Sequence, residues 1–266
     1  MTKIGIVGAS GRMGIALLKA IARDGDAELA HGLIRDGKQS EASQILAANG
    51  LANMTGLLTS DANGFIAASD VIIDFSNPAL SIRLAKKAAE LHKPYICGTT
   101  GFSTNEFDAL RALSEDIPIV WAPNMSVGVN TLLALVEQTA GILNDSFDIE
   151  LVEMHHSHKK DAPSGTSLAL GRAAARGRGI SLDEKAVFSR EGITGERERG
   201  TIGFATMRGG DVVGDHTAVF AGPGERIELS HKASDRKIYA QGAMRAAFWA
   251  VRKPAGFYSM KDVLGL

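Results

Sequence analysis

The chain has a single cysteine, Cys97. No intrachain disulfide is possible, and such usage fits a reducing compartment. Cys97 follows Pro94-Tyr95-Ile96 in an apolar stretch, which predicts a packed thiol rather than a nucleophile. Long apolar runs are also missing: none reaches the ~18 residues needed to span a bilayer. The opening Met1-Thr2-Lys3-Ile4-Gly5-Ile6-Val7-Gly8 is too short and too glycine-interrupted for a secretory segment. A cytoplasmic protein with no membrane partner is expected. Excess charge of one sign is absent as well. The 29 Lys and Arg balance 30 Asp and Glu, for a net charge of -1, so no global field recruits nucleic acid. What remains is ordinary: 45% hydrophobic and 22% charged residues among 266, enough for one or two domains with a sizeable core. No internal repeat or low-complexity segment is visible.

The first half alternates strand and helix patterns. Strands are expected at 3–7, 28–34, 70–75, 93–98 and 117–122. Helices are expected after Gly14, ending at Gly25, and at 78–91 and 105–114. This alternation implies an α/β, Rossmann-like, doubly wound parallel sheet. From about Gly128 the pattern changes. A long apolar helix at 129–143 precedes a strand at 148–155 and a helix at 167–176. Short strands at 201–206, 211–220 and 226–232, divided by Gly-Gly and Pro-Gly turns, suggest an antiparallel or mixed sheet with one broad face open to oligomerisation. The charged run 190–200 reads as a solvated loop, with a substrate lid as the alternative. Residues 235–251 return to helix.

Gly8-Ala9-Ser10-Gly11-Arg12-Met13-Gly14 follows a strand and opens a helix, the context a dinucleotide fingerprint requires. Its glycines admit a pyrophosphate, and the helix N-terminus offers free N–H groups and partial positive charge. The spacing is G-x-x-G-x-x-G rather than G-x-G-x-x-G. An acidic residue ending the second strand would bond the ribose and repel a 2′-phosphate. Ile34 stands there, and Arg35 follows it. Arg35 and Arg12 are therefore the expected ligands of a 2′-phosphate, which favours NADPH over NADH. The alternative is a solvated Arg35 with Asp36 on the ribose. Three later turns end strands where open α/β sheets bind ligands: Asp74 to Pro78, Gly98 to Phe102 and Ala122 to Ser126. Phe75, Ser76, Gly98, Thr99, Thr100, Ala122, Pro123, Asn124 and Met125 are the cofactor contacts expected from them.

The run Glu153-Met154-His155-His156-Ser157-His158-Lys159-Lys160-Asp161-Ala162-Pro163-Ser164-Gly165-Thr166 is the densest chemistry in the chain. Histidine titrates near neutrality and can donate a proton at pH 7. In a strand, His155 and His156 point to opposite faces unless the strand ends there. Lys159 and Lys160 can neutralise carboxylates. Gly165 and Thr166 open a helix and would donate N–H groups to an anion. A zinc site and a purely structural, polar loop are the competing readings. However, His-His-x-His does not place two imidazoles one helical turn apart, and no cysteine is near, so no metal is assigned. The residues alone do not choose between His155 and Lys159 as proton donor.

This segment resembles the signature Glu-x-His-His-x-x-Lys-x-Asp-Ala-Pro-Ser-Gly-Thr of the 4-hydroxy-tetrahydrodipicolinate (dihydrodipicolinate) reductase family. The resemblance extends through Gly8 to Gly14, Asp74 to Ser76, Gly98 to Phe102, 122–130, 195–205 and 214–233. It implies NAD(P)H-dependent reduction of a cyclic dicarboxylate with loss of water, in lysine and diaminopimelate biosynthesis. It implies His155 and Lys159 as the acid/base pair, with His156, Lys159, Gly165 and Thr166 holding the substrate carboxylates. It implies an interrupted cofactor domain, 1–126 resumed by 236–266, around a substrate and tetramerisation domain, 127–235. A homotetramer built through the substrate-domain sheets is implied too. Many members carry an acidic residue where Ile34 stands and accept NADH readily; here a strong NADH preference is not expected. Another nicotinamide dehydrogenase would share the glycine loop but has no reason to carry His155 to Thr166 in this order. A nucleotide sensor would not need the acid/base loop.

Overall fold

The computed structural model describes residues 1–266 and forms two compact units, Met1–Val127 with Lys237–Gly265, and Gly128–Arg236. The first unit opens β1 (Thr2–Val7), α1 (Arg12–Ile21), β2 (Ala27–Leu33), α2 (Gln39–Ala48), β3 (Leu58–Thr59) and α3 (Ala62–Ala68). It continues β4 (Val71–Asp74), α4 (Pro78–Glu90), β5 (Tyr95–Cys97), α5 (Thr104–Ala112) and β6 (Pro118–Trp121). The second unit holds α6 (Val127–Ile142), β7 (Asp148–His155), α7 (Gly165–Arg178), α8 (Leu182–Lys185), β8 (Ala186–Val187), β9 (Ile202–Arg208), β10 (Gly214–Gly222) and β11 (Glu225–Ala233). The chain then returns to the first unit as α9 (Lys237–Ala250), β12 (Gly256–Tyr258) and α10 (Met260–Leu264).

The first unit is a seven-stranded parallel sheet in the order β12-β6-β5-β4-β1-β2-β3. The chain adds β2 and β3 on one side of β1 and resumes on its other side as β4, so the strand order reverses between these two parallel strands. Ligands of open α/β sheets bind outside the carboxyl ends of the strands at that point. Successive strand residues face opposite layers. Ile73, Ile96 and Val120 pack under α1 and α9 with Leu17, Leu18, Ala243 and Ala247. Their neighbours Ile72, Tyr95 and Ile119 pack on the opposite face with Phe65, Leu84 and Leu110. Full burial of each large apolar side chain contributes about 1.5–3 kcal/mol. Local signals fix the helix starts. Asn77 caps α4 ahead of Pro78, and Ser103 with Glu106 forms a capping box on α5.

The second unit is a five-stranded mixed sheet in the order β11-β10-β7-β9-β8. β7 pairs antiparallel with β10 and parallel with β9. Ile149, Leu151, Ile202, Phe204, Ala218 and Phe220 cover one face and pack on Val136, Leu170, Ala173 and Ala174 of α6 and α7. α7 ends where Gly179 takes φ +66, the left-handed conformation that closes a helix.

The doubly wound sheet, the mixed second sheet and the returning helix match the sequence expectations. Several details do not. Gly25 does not end α1. The helix stops at Ile21, because the Arg23 and Asp24 N–H groups tighten back to Ala20 and Ile21 at 3.1 Å each. β3, α3 and α2 lie in residues 39–68, where no element was expected. β10 begins at Gly214 rather than Asp211, and α7 begins at Gly165 rather than Ser167. The charged run 190–200 is irregular and mostly exposed. It is nevertheless tied to β7: Arg190 forks onto Glu150 at 2.8 and 2.9 Å, and Arg197 reaches Glu150, Asp148 and the backbone carbonyls of Ile149, Glu198 and Thr201.

Candidate active site

In the first unit, the glycine loop lies at the end of β1. Gly8 takes φ +68, which favours glycine. Its N–H and that of Ala9 both donate to the Leu33 carbonyl, at 2.9 and 3.2 Å, which draws the loop against the end of β2. Gly11 precedes α1, and no side chain caps the helix. A Cβ on Gly14 would run into the carbonyls of Gly8 and Ala9. Loop and helix therefore approach more closely than any other residue allows. An uncapped helix N-terminus behind a glycine turn fits a dinucleotide pyrophosphate. Ser10 and Met13 are half-buried, while Gly8, Gly11 and Arg12 are exposed. Ile34 is buried, its N–H bonded to the Thr59 carbonyl at 2.9 Å. Arg35 is exposed beyond it. Asp36 accepts from the Gly37 N–H at 2.9 Å and faces Ser60, and Lys38 pairs with Glu41.

The next two turns are joined by one buried carboxylate. Asp74 ends β4 fully buried. It accepts from the Ser76 N–H at 2.8 Å, Ser81 Oγ at 2.5 Å and the Tyr95 hydroxyl at 2.7 Å. Burial pushes its pKa up, against the pull of these donors. Thr99 Oγ1 accepts from the Ser76 N–H at 3.0 Å and lies 2.9 Å from Ser81 Oγ, to which its own hydroxyl donates because Ser81 spends its single proton on Asp74. Gly98 N–H donates to the Asp74 carbonyl at 2.8 Å, and a Cβ on Gly98 would strike the Phe75 ring. Phe75, Ser76, Gly98 and Thr99 therefore form one hydrogen-bonded patch, with Thr100 exposed beside it. Behind β6, Ala122 N–H donates to the Cys97 carbonyl at 3.2 Å. Asn124 Oδ1 accepts from the Ser126 N–H at 2.9 Å. Pro123 is exposed and Met125 buried.

In the second unit, β7 ends at His155, so His155 stays on the strand face while His156 leaves the strand. His156 N–H donates to the Val212 carbonyl at 2.7 Å. Lys159 N–H returns to the His156 carbonyl at 3.1 Å, and its ammonium pairs with Asp161 at 2.9 Å. The Ala162–Pro163 peptide bond is cis. Ser164 then caps α7, its Oγ accepting from the Ser167 N–H at 3.1 Å. Gly165 and Thr166 form the first turn.

Glu153, buried on β7, is the hub of this unit. One oxygen accepts from the Ser164 N–H at 2.9 Å, Arg208 at 3.1 Å and Thr206 Oγ1 at 3.3 Å. The other pairs with His155 Nδ1. Burial pulls the Glu153 pKa up, but Arg208, Ser164 and His155 outweigh it and hold the carboxyl below its usual range. Burial pulls the His155 pKa down; Glu153 opposes this, and Lys159 and Arg208 add to it. His216 stands opposite Glu153 on β10, its ring 5.0 Å from that of His155 and its Nε2 3.2 Å from Ser164 Oγ. Burial, then the charge of His155, pushes His216 down to about 4. Glu153, His155 and His216 each bring one donor atom within 4.8 Å of the others. Glu153 is ion-paired with His155 inside the group, and Ser164 links it to His216 through its N–H on Glu153 and its Oγ on His216 Nε2.

The chain matches known proteins along nearly its whole length. A family described as "Dihydrodipicolinate reductase, N-terminus" matches residues 2–125, and "Dihydrodipicolinate reductase, C-terminus" matches 128–264. The chain belongs to the dihydrodipicolinate reductase family. It is 49% identical to the 4-hydroxy-tetrahydrodipicolinate reductase of Thiobacillus denitrificans over 99% of this chain and 98% of that one. It is 47% identical to that of Hahella chejuensis over 100% of both chains. Among solved structures it resembles a dipicolinate-bound dihydrodipicolinate reductase from Paenisporosarcina sp. TG-14, with TM-score 0.77, 21% identity and 97% coverage of both chains.

Within this reductase chain, the structure gathers His155 and Lys159 beside the first turn of α7, and Phe75, Ser76, Gly98 and Thr99 around Asp74. Three participants lie outside the expected set: Glu153, Arg208 and His216. Glu153 was within reach of sequence reasoning. It shares the parity of Ile149, Leu151 and His155, so it had to face inward with them. Arg208 and His216 were not, because strand pairing alone sets Arg208 opposite His155 and His216 opposite Glu153.

Proposed function

We propose that this chain reduces 4-hydroxy-tetrahydrodipicolinate to tetrahydrodipicolinate, consuming NAD(P)H and a proton and releasing NAD(P)+ and water. A bound nicotinamide dinucleotide would supply the hydride. Gly8, Ser10, Gly11, Arg12, Met13 and Gly14 would hold its pyrophosphate, and Phe75, Ser76, Gly98, Thr99, Thr100 and 122–125 its nicotinamide end. In this reading, 1–126 and 236–266 bind the dinucleotide and 127–235 bind the substrate.

The observation that carries the proposal is the Ser164 N–H to Glu153 bond at 2.9 Å. It closes the loop 156–163 onto the strand and sets the α7 N-terminus two residues from the His155 position. An acid, an ammonium and a helix start then share one loop, which suits a small dianion that must be protonated. His155 serves as the acid, Lys159 as its partner and carboxylate ligand, and His156, Gly165 and Thr166 as further carboxylate ligands. Arg35 and Arg12 are assigned to a 2′-phosphate, hence an NADPH preference. Asp36 is engaged by Gly37 and faces Ser60, which supports that assignment.

A homotetramer through the second sheet is part of the proposal, supported by Met207 and Ile227, exposed on β9 and β11. A cytoplasmic location is proposed from the lone buried cysteine. The test of the site is His155→Gln with Lys159→Ala. Turnover is expected to fall by ~10² or more while nucleotide affinity persists. Unchanged turnover would remove these residues from the chemistry.

A further inference from the structure

We propose that Glu153 is a positioning residue that fixes the tautomer of His155. It holds the proton on Nδ1, so that Nε2 is the atom that gives and regains the catalytic proton. The inference rests on the preceding assignment of His155 as the acid.

Four observations support it. Glu153 Oε2 pairs with His155 Nδ1, and the carboxylate is 1% exposed. Its other oxygen is held by the Ser164 N–H and Arg208, and faces Thr206 Oγ1, so the carboxylate cannot swing away. Arg208 is itself fixed, donating to the Asp161 carbonyl at 2.6 Å. Finally, the Nε2 edge of His155 lies against Gly214, where a Cβ would approach Nε2 to 2.9 Å. Glycine at that position keeps the working edge of the ring uncovered on that side.

A carboxylate accepts and does not donate, so neutral His155 must carry its proton on Nδ1. The imidazolium carries both protons. It loses the Nε2 proton to the substrate, keeps the Nδ1 proton directed at the Glu153 carboxylate, and recovers Nε2–H from solvent. The logic is that of the buried aspartate behind a catalytic histidine in serine proteases. The charged groups facing His155 are Glu153 from its own strand, Lys159 from the loop and Arg208 from β9. His216 faces it from β10, with His231 of β11 paired beyond. Only Glu153 favours the imidazolium.

The first test uses the unaltered protein. Nitrogen NMR of histidine-labelled enzyme above neutral pH, with the His155 signal assigned by its loss in His155→Gln, is expected to show the Nδ1–H tautomer. The Nε2–H tautomer overturns the proposal. The second test is Glu153→Gln. Removing the charge favours neutral imidazole, and the acid must be protonated to act. The fall of kcat on the alkaline side is therefore expected to move to lower pH, with kcat reduced by ~10² or more and KM changed by less than about threefold. Glu153→Asp is expected to restore part of the loss. A folded Glu153→Gln variant with higher KM and an unmoved alkaline limb would make Glu153 merely structural. If His155→Gln itself leaves turnover intact, the assignment of the acid fails instead, so the two failures are distinguishable.

Discussion

The hydroxyl of Tyr95 donates to Asp74 at 2.7 Å, deep beneath two turns that carry expected cofactor contacts. Tyr95 is wholly buried on β5, and Asp74 ends β4 next to it. The carboxyl group uses its remaining acceptor capacity on Ser81 and the Ser76 N–H, so one buried side chain sets the shape of both turns. Tyr95→Phe removes one donor without removing the ring. Leaving a buried carboxylate short of a partner costs about 1–3 kcal/mol. Chemical denaturation is expected to show that loss, together with weaker dinucleotide binding. Unchanged stability would mean that the Asp74 carboxyl is held without the Tyr95 hydroxyl.

Gly14→Ala tests the glycine loop. The added methyl would meet the carbonyls of Gly8 and Ala9, neither of which is the end of a flexible side chain. Overpacking of this kind costs about 1–3 kcal/mol. The variant is expected to lose nucleotide affinity, measured by fluorescence titration, while retaining the circular dichroism of the folded chain. Wild-type affinity would show that helix and loop separate freely.

Much of this was legible in the chain because the signals are local. A glycine turn between a strand and a helix, a capping Ser103 followed by Glu106, and Asn77 ahead of Pro78 each act over a few residues. β3 was not legible, since two residues carry no period and Leu58–Thr59 is a strand only through its pairing with β2. α3 has seven residues with a glycine at the third, and its one clear signal is Asp61 accepting from the Asn63 and Gly64 N–H groups. At the site, the loop 155–166 could be recognised because it is continuous in sequence. His216 and Arg208 come from strands more than fifty residues away, and only the sheet register brings them to Glu153 and His155.

The proposed preference for NADPH rests on Arg35, exposed beyond a strand end that lacks an acidic residue. A charge-assisted hydrogen bond is worth about 1.5–3 kcal/mol. Arg35→Ala is therefore expected to weaken NADPH binding by roughly ten- to a hundredfold and to leave NADH binding near its original value. Equal loss for both nucleotides would place Arg35 elsewhere than on the 2′-phosphate.

Acid sensitivity should trace partly to His216. Its pKa stands at about 4 in the folded chain against an ordinary 6.5. Between these values the unfolded chain takes up a proton that the folded chain does not. Stability is then complete above about pH 6.5 and declines as pH falls towards 4, by at most about 1.4 kcal/mol per unit. Urea titrations of His216→Asn across this window are expected to show a shallower decline than the parent. Identical slopes would place the acid sensitivity in other groups.

The most direct measurement is oxidation of NADPH and NADH in the presence of 4-hydroxy-tetrahydrodipicolinate generated in place by its synthase. Rapid oxidation is expected, faster with NADPH, and strictly dependent on the synthase product. No oxidation of either nucleotide by folded protein that binds them would contradict the proposed reaction.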